Sequence, residues 1–281
     1  MIYISSSCVK FKTIAESVEF LAKNGITHIE LSGGTNYYPT FEKDLLELKD
    51  KYGLTYQIHN YFPPPKQHFV LNLASLNDEI FNTAINHCKK AITLAQKLGA
   101  NKYGLHAGFF IDPVVDDLGK KMRISTISNK EDAIKRFCKG FNILQENSGS
   151  IDLYVENNVI SASNYKTYKE NIFMLTNSHE YFALKKDIDF NLLLDIAHLK
   201  VSCKTLGLNF EKEFETLWDQ SYYIHLSDND GLLDSNQTIS QKSSLYNLLK
   251  NQNFSGKTFS LEIYNNFDEV KNTYQLLNEL L

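Results

Sequence analysis

Short runs of β-branched and aromatic residues alternate along the chain with stretches whose apolar positions recur every three to four residues. Continuous or period-two apolar character marks a strand and a 3.6-residue period marks a helix. Their alternation is the pattern of a parallel sheet joined by crossover helices. Eight strands are expected, near residues 2–8, 28–32, 56–61, 103–107, 152–157, 190–197, 222–227 and 258–264. Several of them are apolar throughout, as strands covered on both faces are. Eight such units are the number at which a parallel sheet closes, so the pattern predicts an α/β fold, a (β/α)8 barrel.

The helices carry their own punctuation. Thr13-x-x-Glu16 reads as a capping box, Ile14, Val18, Leu21 and Ala22 form one stripe, and Gly25 suits the left-handed residue that ends the helix. Ile80, Ala84, Cys88, Ala91, Ile92, Ala95 and Leu98 repeat at helical spacing up to Gly99. Ser128-x-x-Glu131 is expected to open another helix, with Ala133, Phe137, Phe141 and Leu144 on its buried face, and a last helix is expected from about Asp268. Two connections are long, 60–76 with Pro63, Pro64 and Pro65, and 108–129. Both follow strands, on the side of a barrel where loops cover substrate. No Gly/Ser-rich linker, charge block or repeat divides the chain, so residues 1–281 are expected to form one domain.

Charge and composition narrow the class. A net charge of −4 gives no bulk attraction to polyphosphate, which argues against nucleic acid as a partner. Cys8, Cys88, Cys138 and Cys203 stand far apart with no CxxC pair, which suits reduced thiols. The segment MIYISSSCVKFKT lacks the charged-then-apolar pattern of a signal peptide, and no run of about 18 apolar residues occurs. The expectation is a soluble cytoplasmic protein with no membrane contact, and homo-oligomerisation is left open.

The chemistry gathers at the ends of the later strands. Strands three to eight end at His59, His106, Glu156, Asp195 with His198, His225 with Asp228, and Glu262. Parallel barrel strands end at one rim, so these side chains are expected to converge. Three carboxylates in an apolar mouth would repel one another unless a divalent ion supplied the compensating charge. Oxygen-rich ligation with one imidazole suits Mn²⁺, Mg²⁺ or Co²⁺, and more histidines shift the preference towards Zn²⁺ or Fe²⁺. Structural roles compete with each assignment. Glu156 and Glu262 could pair with a cation to close the barrel, and His59 and His106 could bond substrate or backbone. Asp228 and Asp230 could shape a turn, and Glu30 could touch substrate or stand as a solvated rim carboxylate. Lys120 and Lys121 could meet a phosphate or form a solvated face. His28, His68, His87 and His179 are expected to be structural.

The segments HNYFPPP (59–65), FVLNLAS (69–75), LHAGF (105–109), LYVENN (153–158), LLLDIAHLK (192–200), YIHLSDNDG (223–231) and FSLEIY (259–264) together resemble the xylose-isomerase-like barrel superfamily, which holds sugar isomerases, sugar epimerases and endonuclease IV. The resemblance covers most of the chain. It implies that Glu156, Asp195, His225 and Glu262 hold one divalent ion (Mn, Mg, Co or Zn), with Glu156 and Glu262 as the acid/base pair on opposite faces of a sugar. His59, His106, His198 and Asp228 would then contact substrate. The implied activity is a metal-dependent isomerase or epimerase of a small sugar or sugar phosphate. The chain departs from the family's ketose epimerases in lacking an arginine soon after the strand-seven histidine; Arg123 and Arg136 are its only arginines. The endonuclease IV pattern implies an alternative, a metal-dependent phosphoester hydrolase with a second ion drawing on His59, His106, His198 and Asp234. There Asn236 stands where that pattern has a further histidine.

Overall fold

Eight parallel strands close into a barrel in sequence order, each bonded to the next and the eighth to the first. The computed structural model describes residues 1–280 and places β1 at Ile2–Ser5, β2 at His28–Leu31, β3 at Thr55–His59, β4 at Lys102–His106, β5 at Asp152–Glu156, β6 at Asn191–Asp195, β7 at Ser221–Leu226 and β8 at Thr258–Leu261. Every expected strand is present, and most are shorter than the apolar runs suggested. Residues Ser6–Cys8 turn as 3-10 helix rather than extending β1. The helix Ile196–Leu206 begins directly after Asp195, so Ile196 and Ala197 belong to it and not to the sixth strand.

Thr13 makes the reciprocal capping box with Glu16, and the helix Ile14–Lys23 is followed by Gly25 at φ +83°. The helix Asp78–Leu98 starts on the Asn77 side chain and ends at Gly99, φ +68°. Ser128 does not open the next helix. The Asn129 side chain accepts from Asp132 N–H ahead of Lys130–Glu146, while Ser128 N–H is taken by the Phe110 carbonyl. An asparagine oxygen caps as well as a serine, so the start slips by one residue. The last helix, Phe267–Asn278, is capped by Asn266.

Large side chains such as Phe137, Phe141, Phe214 and Trp218 fill the layer between sheet and helices. Each contributes about 1.5–3 kcal/mol by leaving water. Inside the barrel, Tyr154, Leu193 and Tyr223 form a plug, with the two tyrosine rings edge-to-face at 5.3 Å. That plug is the floor on which the polar rim stands. The two long loops are tied together over one side of it: Asn72 Nδ2 donates to the Phe109 and Ile111 carbonyls, and its Oδ1 accepts from Phe109 N–H. Val70, Phe109, Ile111, Met122, Ile160, Ile172 and Phe173 form a second small core there. Among the described residues no helix is long and apolar enough to cross a membrane.

Candidate metal centre

Strand register brings the ionisable ends side by side. His106 pairs with Glu156 across β4 and β5, and Asp195 pairs with His225 across β6 and β7. Glu262 follows β8 by one residue, with its N–H on the Leu226 carbonyl. Glu156, Asp195, His225 and Glu262 are all buried, and each offers a donor atom within 4.8 Å of the others'. His225 Nδ1 lies 3.4 Å from Glu156 Oε1, 3.4 Å from Glu262 Oε2 and 3.9 Å from Asp195 Oδ2. None of these approaches is a hydrogen bond, and Glu156 Oε1 and His225 Nδ1 have no hydrogen-bond partner. Two orphaned buried atoms facing one point, in a set of three carboxylates and one imidazole, are what a divalent cation would satisfy.

Each of these side chains is fixed from behind. Asp195 ends β6 and caps the following helix: its Oδ1 accepts from His198 N–H at 2.7 Å, which leaves Oδ2 towards the centre. Asn157 clamps the same strand end, donating to the Asp195 carbonyl at 2.9 Å and accepting its N–H at 2.7 Å. Glu156 Oε2 takes His59 Nε2 at 2.6 Å and His106 Nε2 at 2.9 Å. Glu262 Oε1 accepts from Ser7 Oγ at 3.2 Å and Tyr264 Oη at 3.1 Å. Below them Glu30, fully buried, accepts from His225 Nε2 at 3.0 Å and from Tyr223 Oη. That bond fixes the tautomer that presents Nδ1 to the centre.

The electrostatics follow from burial and charge balance. Burial works to raise the Glu156 pKa, and His106, His59 and His225 outweigh it and hold the carboxyl well below its usual range. Glu262 is likewise pressed upward by burial but drawn down to about 2 by His225. Asp195 goes the other way, raised to about 7 by burial and by Glu156 and Asp234. Burial lowers the affinity of His225 and His198 for protons, yet the carboxylates around them raise both well above 6.5. Protons on the imidazoles thus balance the carboxylates in the metal-free protein, and a cation would compete with them.

A cavity of about 690 Å³ opens over this cluster, and His59, His106, His198, Asp234 and Glu262 lie on its wall. His198 is gathered in as expected, with Nδ1 donating to the Asn157 carbonyl at 2.8 Å and Nε2 facing Asp234 at 3.2 Å. Asp228 is not brought to the cluster: its carboxylate takes Lys200 Nζ at 2.6 Å and the Asn229 N–H, and its backbone pairs with Gln237. Lys120 and Lys121 are exposed and off the cavity wall, whereas His68, read as structural, is on it. His87 is structural as expected, packed against Phe69 with its pKa pushed down to about 4 by burial. Glu30 is a correction, since it is not a solvated rim residue. The alternation of apolar Ile29 and Leu31 around it carried that signal, as it turns Glu30 to the barrel interior. Tyr264, two residues past Glu262 and so on the same face, was legible by the same rule. The roles of Ser7 and Asn157 had no such signal.

A closed parallel barrel with acidic and imidazole ligand types at its strand exits defines the molecule as a (β/α)8 protein with a candidate metal-binding mouth. The chain belongs to the xylose isomerase-like TIM barrel family, whose model matches residues 18–280. Its fold is similar to that of a D-tagatose 3-epimerase-like protein, at 20% identity and TM-score 0.73 over 99% of this chain and 96% of that one. It is also similar to endonuclease IV from Thermus thermophilus, at 16% identity and TM-score 0.64 over 99% and 98%, and to a 3-keto-D-glucoside 4-epimerase from E. coli, at 12% and 0.66 over 99% and 98%. No curated protein sequence matches the chain.

Proposed function

We propose that the protein is a divalent-metal-dependent isomerase or epimerase of a small sugar or sugar phosphate. The observation that carries this reading is the donor set itself: four ligand atoms from four consecutive strand ends, within 4.8 Å of one another, beneath a cavity. Glu156, Asp195, His225 and Glu262 would hold the ion. A bound ion supplies positive charge beside the substrate oxygens, which makes a proton next to a carbonyl easier to remove. The protein's own groups do the rest. Glu262 faces the cavity with Oε1 steadied by Ser7 and Tyr264, so it is placed to take or return a carbon-bound proton on its side. Glu156 is fully buried and meets the cavity through His59 and His106, which pass protons between its Oε2 and substrate on the opposite side. His198 and Asp234 orient substrate from the wall, while Asp228 closes the loop that carries Asp234.

The test uses D-tagatose, D-psicose and L-ribulose in deuterated water with metal-loaded protein. Label is expected at the carbon next to the carbonyl of at least one of them and is lost in Glu262→Gln; absence of exchange with all three, by protein of confirmed metal content, retracts the reading.

One observation favours a second reading, metal-dependent phosphoester hydrolysis. His59, His106 and Glu156 form another group whose donor atoms lie within 4.8 Å, able to hold a second ion. Two ions per chain together with chelator-sensitive cleavage of an abasic duplex would move the assignment there; a single ion and an intact duplex keep it with the sugar enzymes.

A further inference from the structure

The cavity wall contains buried polar side chains that the cluster does not use, among them Thr35, Asn60 and Asn236, whose side-chain oxygens have no hydrogen-bond partner; of these, Asn236 stands on the loop that also carries Asp234. Asn236 is only 4% exposed, lines the cavity beside Asp234, Glu262 and Tyr264, and its Oδ1 has no hydrogen-bond partner. The residue is nevertheless held firmly. Asp228 and Gln237 exchange two backbone bonds, at 2.8 and 2.7 Å, and close the loop that carries it. Tyr264 N–H donates to the Asn236 carbonyl at 2.8 Å, and its φ is +44°, in the left-handed region that asparagine tolerates. A carboxamide that is rigidly held, buried and unpaired costs free energy unless something else bonds to it.

Its surroundings limit what that can be. Among the described residues none of the three groups of His, Asp and Glu donors placed to hold an ion includes Asp234, which faces His198 Nε2 instead. An anion would meet the Asp234 and Glu262 carboxylates. A hydroxyl suits the wall, since it both donates and accepts, as does a carboxamide, and a second hydroxyl can donate to Asp234 where His198 Nε2 approaches at 3.2 Å.

We propose that Asn236, Asp234 and His198 form a subsite for two adjacent hydroxyls of a neutral polyol chain, so that the substrate end lying on this wall carries no phosphate. This rests on the sugar-enzyme reading but is tested apart from it. Binding of xylitol and of inorganic phosphate is followed by NMR titration in the wild type and in Asn236→Gly, which deletes the carboxamide without straining the left-handed backbone. Xylitol affinity is expected to fall about tenfold in the variant. Phosphate affinity and metal content are expected to stay as in the wild type, and crystals soaked in xylitol should show hydroxyl oxygens on the Asn236 carboxamide. Equal xylitol affinity in the two proteins, or phosphate binding that is lost with the carboxamide, overturns the subsite. Xylitol seated on Asn236 in a protein that exchanges no sugar deuterium would keep the subsite and retract the isomerase; exchange without polyol on this wall would do the reverse.

Discussion

Glu30 and His225 show how much a single hidden contact decides. With Glu30 accepting from Nε2, the His225 ring offers Nδ1 to the centre. Glu30→Leu is therefore expected to weaken divalent-metal affinity about 10- to 100-fold, and Glu30→Gln, which still accepts, to weaken it less. Calorimetric titration of the metal-free variants with Mn²⁺ or Zn²⁺ decides this, and equal affinity in Glu30→Leu and wild type would remove the positioning role. For Glu262→Gln, turnover is expected to fall at least about 10²-fold, the usual worth of a placed acid or base, while the thermal midpoint moves little. At this scale the sequence was legible where a ligand type sat at a strand end, as with Glu156, Asp195, His225 and Glu262. It was illegible where a role depends on a partner far along the chain: Ser7 reaches Glu262 across 255 residues, and nothing local to SSSC announces it.

Asp195 caps a helix at an element boundary and, on the proposed reading, also holds the ion, and the two roles can be separated. Asp195→Asn keeps an oxygen for the His198 N–H and so keeps the cap on Ile196–Leu206, while it gives up a charged ligand. Asp195→Ala gives up both. The alanine variant is expected to be about 0.5–2 kcal/mol less stable than the asparagine variant in urea, although both bind metal poorly. Gly108, after β4, is a packing constraint of another kind. A Cβ there would stand 2.3 Å from Ala74 Cβ and 2.9 Å from Met174 Sδ, and the alanine cannot swing away. Gly108→Ala is expected to destabilise by about 1–3 kcal/mol in the same urea measurement. Element positions were readable because apolar period follows geometry. Their ends were less so: the apolar pair Ile196–Ala197 looks like more strand, and only the aspartate before it marks the start of a helix.

For the whole molecule, the balance of protons and carboxylates predicts a pH signature. His225 and His198 have folded pKa values raised well above 6.5, so their stabilising contribution is full below 6.5 and is lost as pH climbs through the folded values. Asp195, raised from 3.8 to about 7, also withdraws stability as pH rises across that interval. Glu262, lowered from 4.5 to about 2, acts at the other edge, with a contribution present above 4.5 and lost as pH falls towards 2. The metal-free protein is therefore expected to be most stable at mildly acidic pH and to weaken above about pH 7. Because an ion displaces the imidazole protons, loading should release protons, and the gap in thermal midpoint between loaded and metal-free protein should widen from about pH 6 to pH 8. A gap that narrows over that range would contradict the charge balance described here. The barrel itself was the most legible feature, since eight repeats of one pattern leave little choice of architecture. The loops over the mouth were the least, because Asn72 and Asn236 act through backbone geometry that composition does not record.

The seam between β1 and β8 has a bearing on how the molecule comes into being. Ser7 leaves the ribosome 255 residues ahead of Glu262, so Glu262 and the hydroxyl that steadies it meet only after all eight strands have been made. Until β8 and Glu262 have been made, the cluster lacks one of its four donor residues. On the proposed reading, metal capture is thus tied to ring closure and would report, during biosynthesis, that the eighth strand has found the first.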